Sequence, residues 1–251
     1  MHPQVLEGEK KRYHLLDAIR GVLVICMVVH HGLLSIYMAT GNELFSNIFE
    51  ALHFLSPYFA GAFIVISGIC CRFSRSNAKR GAQLFMVACL ITVLTVIADS
   101  VYDMGISIIF GILHLLAFCM LFVGGFDFAI KKINPYIGMA IFGTLSLLYF
   151  IIFTRDGLNY FSSASPWLFP LGWTSPGFFS ADYWPVIPWI FVFLFGYYLG
   201  NTGLIEKHPE IFCAKPTKII PFVGRHALLI YILHQPVIYG AAYLIQEITN
   251  G

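Results

Sequence analysis

LLDAIRGVLVICMVVHHGLL, residues 15–34, decides the fold. Twenty residues, at about 1.5 Å of rise each, cross roughly 30 Å of hydrocarbon as a helix. Lys10, Lys11 and Arg12 precede the stretch, as they would a signal peptide. Its apolar core is too long for one and no small-residue cleavage site follows, so it reads as a retained first transmembrane helix. It is not uniformly apolar, because Asp17, Arg20, His30 and His31 all lie within it.

The rest of the chain agrees with a bilayer as solvent. Of 251 residues, 58% are hydrophobic, 16% aromatic and only 11% charged, with mean hydropathy +0.78. A soluble surface uses about 25% charged residues, so this composition cannot clothe one. The net charge of +2 comes with no basic block, which excludes nucleic acid as a partner. The six cysteines fall mostly in apolar runs without metal-ligand spacing, so neither a disulfide framework nor a metal site is expected.

Seven apolar stretches are expected to span: 15–37, 54–71, 82–99, 106–125, 136–154, 184–200 and 219–245. Ten-residue alternation, the mark of a membrane β-barrel, is absent. The fold class expected is an all-α integral membrane protein of about seven transmembrane helices, with residues 1–251 as a single membrane-embedded domain. Twelve of the 15 Lys and Arg residues fall on the side of the N-terminus: Lys10, Lys11, Arg12, Arg72, Arg75, Lys79, Arg80, Lys131, Lys132, Lys207, Lys215 and Lys218. Arg20 and Arg225 lie just inside helix ends on that side, and only Arg155 lies opposite. The positive-inside rule then puts the N-terminus in the cytoplasm and the C-terminus outside. Residues 155–183, rich in Ser, Pro, Gly, Phe and Trp, read as a long external loop: a lid or binding segment, or a hairpin on the headgroups.

Ionisable groups at membrane depth are costly and mark function by default. Arg20 and His31 are eleven residues apart, which returns the helix to within roughly 20° of the same face, about 16 Å further along. His30 lies off that face and reads as a packing residue. His114 in FGILHLLAF and His234 in GRHALLIYILHQPVIYG are expected at a similar depth to His31, so three imidazoles from three helices are expected to converge. Pro236 removes the helical donor for the carbonyl of Ile232, freeing an acceptor near His234. Against this stands the bland reading of each residue. A lone membrane His often only bonds between helices, as His114 or His226 would. Asp17 and Arg20 neutralise each other at i and i+3, and Arg72, Arg75, Lys79 and Arg80 anchor the cytoplasmic side. Cys26 lies about 140° around the helix from His31, which argues against a cysteine shuttle.

A histidine can take a proton from a hydroxyl or amine, and arginines at a cytoplasmic mouth match phosphate oxygens. Acidic and aromatic groups outside, among them Asp182, Trp173 and Trp184, suit a sugar-like acceptor. The pattern points to a group donor entering from the cytosol. The rival is a transporter or channel for a small anion or metabolite along the Arg20/His31 face, for which inverted repeats are missing. A non-catalytic scaffold in envelope assembly is the other alternative.

In order along the chain, RYHLLDAIRGVLVICMVVHH, FIVISGICCRF with Arg80–Gly81, FGILHLLAF, DYWPVIPWIFVFLFGYYLG and FVGRHALLIYILHQPVI resemble bacterial members of the heparan-α-glucosaminide N-acetyltransferase-like family of membrane acyltransferases. The resemblance covers nearly the whole chain. It implies acetyl-CoA as cytosolic donor, an envelope saccharide hydroxyl or amine as acceptor, a His at the catalytic centre and a place in the bacterial plasma membrane. Carried over, His31 is the favoured base, Arg20 its partner or a CoA contact, and His234 a further catalytic candidate. Arg72, Arg75, Arg80 and Arg225 are candidates for the CoA phosphates, and His53, His114, Asp182 and Gln235 for the acceptor pocket. The family's catalytic His lies in the loop after the first motif helix, where this chain offers His53, so His31 and His53 both stand as candidate bases. No metal is implied, and a homo-oligomer is compatible with the sequence.

Overall fold

A computed structural model describes residues 12–103, 105–153, 161–162, 165–214 and 218–250. Lys10, Lys11, Arg155 and Lys215, used in reading the orientation, lie outside them. The chain is about 78% helical. In order, α1 is His14–Thr40, α2 Glu43–His53, α3 Ser56–Cys70, α4 Asn77–Tyr102, α5 Ile112–Gly125, α6 Asp127–Ile130 and α7 Pro135–Phe153. There follow α8 Val186–Asn201, α9 Leu204–Lys207, α10 Pro209–Phe212, α11 Ile219–Arg225 and α12 Ala227–Asn250. The only strands among the described residues are two-residue β1, Phe161–Ser162, and β2, Trp173–Thr174, paired in parallel.

Each of the seven expected stretches carries a helix. Four helical stretches among the described residues are long and apolar enough to cross a membrane: His14–Met38, Ser56–Phe73, Asn77–Tyr102 and Val186–Lys207. Ile112–Gly125, Pro135–Ile151 and Ala227–Ala241 are apolar but shorter. Two stretches differ from expectation for local reasons. The 106–125 stretch becomes helical only at Ile112, because its first residues are drawn into side-chain bonds: Ile106 N–H to Asp99, Ile108 N–H to Thr95 and Ile109 N–H to Ser180. The 219–245 stretch breaks at His226, whose ring bonds the Phe222 carbonyl at 2.9 Å.

Helix ends follow their sequences. Gly41 closes α1 with φ 64°, a left-handed conformation that glycine adopts without a Cβ clash. Asn42 accepts the Leu44 N–H to start α2, and Ser76 accepts the Lys79 N–H to start α4.

Contacts divide the chain into two compact units. One comprises Met1–Phe63 and Ile205–Gly251, the other Ile64–Leu204. In the first, α1 packs against α2, α10, α11 and α12. In the second, α4 packs on α5, α7 on α8 and α5 on α8. Lipid tails are as apolar as leucine, so close packing rather than hydrophobicity must hold membrane helices together. Glycine supplies that closeness in both units. A Cβ on Gly224 would stand 1.7 Å from the Asp17 carbonyl oxygen, and one on Gly196 2.1 Å from that of Val65. The second unit centres on α8, of whose 16 residues ten are buried, against two of 26 in α4. Its outward residues on α4, such as Met86, Leu90, Leu94 and Ile97, are exposed large apolar side chains suited to lipid.

Candidate active site

In the first unit, Gly21 and Gly224 bring the backbones of α1 and α11 together, and the Asp17–Arg20 turn sits at that crossing. Arg20 pairs with Asp17 at 3.3 Å, one turn apart, so its charge is compensated locally as the spacing suggests. Eleven residues on, α1 presents His31 to α12.

There the His31 Nδ1 and His234 Nε2 atoms are 2.8 Å apart, with the rings nearly parallel at 16°. His234 is buried, and its Nδ1 lies 2.6 Å from the Tyr231 carbonyl oxygen. A carbonyl only accepts, so His234 Nδ1 carries the hydrogen and donates it. Neutral His234 then has a bare Nε2, which accepts the Nδ1–H of His31. In that tautomer the hydrogen of neutral His31 is on Nδ1, leaving Nε2 as a lone pair with no hydrogen-bond partner among the described residues. The carbonyl used is that of Tyr231 rather than Ile232, whose helical donor Pro236 removes. The next side chain, Gln235, has a buried Oε1 without a hydrogen-bond partner among the described residues.

Two further imidazoles join this pair. His30 packs beside His31 with ring centroids 5.6 Å apart, and His53 of α2 stacks on His30 at 5.5 Å. His53 Nδ1 is 3.3 Å from His30 Nε2, and Phe49 lies against both rings. The site therefore contains His53, His30, His31 and His234, contributed by α2, α1 and α12. Sequence reasoning set His30 aside because it lies off the Arg20/His31 face. The signal that could have found it is α2, an amphipathic segment whose Phe49 lies one turn before its C-terminal His53.

The other candidates lie in the second unit, except Arg225, which is exposed on α11 of the first unit near the Phe222 ring. His114 is buried near the start of α5. Its Nδ1 accepts the Gly111 N–H at 3.2 Å and its Nε2 faces Thr92 Oγ1 at 3.3 Å, so both nitrogens are occupied within that unit. Asp182 accepts the Ile112 N–H at 3.1 Å and the Trp184 indole N–H, fixing a carboxylate at the N-terminal end of α5. Together with Ser180, which bonds Ile109, it ties the end of the 155–183 segment to the start of α5. Residues 155–160 and 163–164 of that segment lie outside the described residues.

Also in the second unit, a cleft of about 250 Å³ is lined by Arg72, Arg75, Asn77, Lys131, Tyr197 and Asn201, with Ser74, Ser76, Ala78, Gly124 and Asp127. Lys131 is paired with Asp127 at 2.8 Å. Ser74 Oγ and Asn77 Oδ1 are buried in its wall without a hydrogen-bond partner among the described residues. Arg80 is exposed on α4 and does not line the cleft. Lys131, Asn77, Tyr197 and Asn201 were missed because they are far apart in sequence. No group of three or more metal-ligating side chains occurs among the described residues.

The catalytic domain family of heparan-alpha-glucosaminide N-acetyltransferase matches residues 12–236, most of the chain. The comparisons with curated proteins and with solved structures give no match. Taken with its apolar helices, the match makes this chain a member of the heparan-alpha-glucosaminide N-acetyltransferase catalytic family, an acetyltransferase-like membrane enzyme.

Proposed function

We propose that the protein transfers an acetyl group from acetyl-CoA to a saccharide hydroxyl or amine at the cell envelope, with His31 as general base. The observation that carries this reading is the Tyr231–His234–His31 chain of hydrogen bonds, which leaves the lone pair of His31 Nε2 available. A base held in one tautomer by a second residue follows the logic of nucleophile activation in acyl transfer. The acceptor loses its proton to Nε2 as it attacks. The resulting positive charge is shared with His234 across the 2.8 Å contact, while the Tyr231 carbonyl keeps His234 oriented.

The donor supplies a thioester-activated acetyl group. The Arg72/Arg75 cleft suits its phosphates, because guanidinium forks match phosphate oxygens and the buried Ser74 hydroxyl there, which has no hydrogen-bond partner among the described residues, can donate to one. Pockets for whole drug-sized ligands run from about 300 Å³ upward. At about 250 Å³ the cleft fits a phosphate-bearing end of the donor rather than all of it. The excess of Lys and Arg on the side of the N-terminus supports a cytoplasmic position for Arg72 and Arg75, where such a donor is found. Full-length protein in detergent, given acetyl-CoA and an amino sugar such as glucosamine, is expected to release CoA and form the acetylated sugar. Absence of both products would overturn the reading.

A further inference from the structure

Resting on that reading, we propose that His30 and His53 form the outlet through which His31 discharges the acceptor's proton to solution. The argument begins with a dead end. On one side His31 meets His234, but the second nitrogen of His234 is bonded to the Tyr231 carbonyl, which accepts hydrogen bonds and cannot pass a proton on. Along that hydrogen bond a proton arriving at His31 has no onward path. On the other side stands His30, whose ring centroid is 5.6 Å away, and the proton would pass between the two rings by way of water. His30 contacts His53 nitrogen to nitrogen at 3.3 Å.

Exposure rises along the same path. His234 is 6% exposed, His31 and His30 are half-buried, and His53 is exposed. Phe49 packs on both His30 and His53, at 4.7 and 5.2 Å between centroids, which holds the pair in register. His53 and Phe49 are supplied by α2, which has no buried residue of its own and an apolar face opposite a polar one, as in a helix lying along a membrane interface. Its C-terminal histidine is thereby placed where water is available.

The step balances. The acceptor's O–H or N–H bond breaks and an N–H bond forms at His31. The acetyl carbon–sulfur bond breaks as the new bond to oxygen or nitrogen forms. The departing CoA thiolate takes a proton from water, and the proton on His31 returns to water through His30 and His53. His30 and His53 touch no reacting atom in this scheme, so they are relay residues and not catalytic ones.

The test uses the full chain in detergent at low buffer concentration, with acetyl-CoA and glucosamine. His53→Ala and His30→Phe are expected to lower kcat about tenfold, leave the KM for acetyl-CoA unchanged and leave the first turnover intact. Added imidazole is expected to restore His53→Ala and not His31→Ala. Unchanged kcat in both variants would overturn the outlet. So would a loss of the first turnover equal to the loss of kcat without imidazole rescue, which would mark a structural role. Failure of the wild-type protein to transfer acetyl at all would overturn the acyltransfer reading and the outlet with it, whereas an active wild type with unaffected variants overturns the outlet alone.

Discussion

His31 on α1 and His234 on α12 are joined nitrogen to nitrogen at 2.8 Å across 203 residues of chain, and the Tyr231 carbonyl behind His234 decides which nitrogen of each carries hydrogen. This relationship predicts a graded response at His234. A positioned general base contributes about 10²–10⁴-fold. His234→Ala is expected to lower kcat by about 10²-fold, since His31 would lose the acceptor that fixes its tautomer. His234→Gln, whose amide oxygen can still accept from His31, is expected to retain more activity. Equal activity in His234→Ala and wild type, measured as CoA release, would exclude the positioning role.

The Arg72/Arg75 cleft predicts a change in donor affinity alone. A hydrogen bond to a charged group contributes about 1.5–3 kcal/mol, so Arg72→Ala or Arg75→Ala is expected to raise the KM for acetyl-CoA at least tenfold. The KM for the sugar is expected to stay the same. Arg80→Ala, outside the cleft lining, is the control and is expected to leave both unchanged. A kinetic comparison of the three variants checks this.

Asp182 is expected to act on stability more than on acceptor recognition. Its carboxylate already holds the Ile112 N–H and the Trp184 indole N–H. Leaving buried donors unpaired costs about 1–3 kcal/mol, so Asp182→Ala is expected to lower the thermal midpoint in detergent with little change in the KM for the sugar. A large KM effect with unchanged stability would return Asp182 to the acceptor site.

The α1/α11 crossing tolerates no side chain at Gly224, where a Cβ would stand 1.7 Å from the Asp17 oxygen. Overpacking costs about 1–3 kcal/mol, so Gly224→Ala is expected to destabilise the protein. Gly240 has no atom within 4 Å of such a Cβ, and Gly240→Ala is expected to leave stability the same or slightly raise it. Thermal unfolding of the two variants side by side measures the difference.

Helix positions were legible because hydropathy reports what the bilayer demands, and each of the seven apolar stretches holds a helix. The breaks at Ile112 and His226 were not, because they depend on side chains such as Asp99, Ser180 and His226 competing for backbone groups. In the site, Arg20 beside Asp17 followed from i, i+3 spacing, and the meeting of His31 with His234 followed from depth along their helices. The place of His30 did not follow from helix-face geometry. It depends on α2 folding back onto α1, a tertiary contact that periodicity along α1 alone does not encode. Depth along its helix suggests His114 as well, yet its nitrogens are satisfied by Gly111 and Thr92 within its own unit.

The most direct measurement is acetyl transfer by wild type and His31→Ala, both confirmed as folded by circular dichroism and by equal thermal stabilisation with CoA. The account predicts that His31→Ala binds CoA as wild type does and loses transfer by about 10²-fold or more. A folded, CoA-binding His31→Ala that transfers acetyl at the wild-type rate would contradict it and shift the role of base to another residue, with His53 first in line.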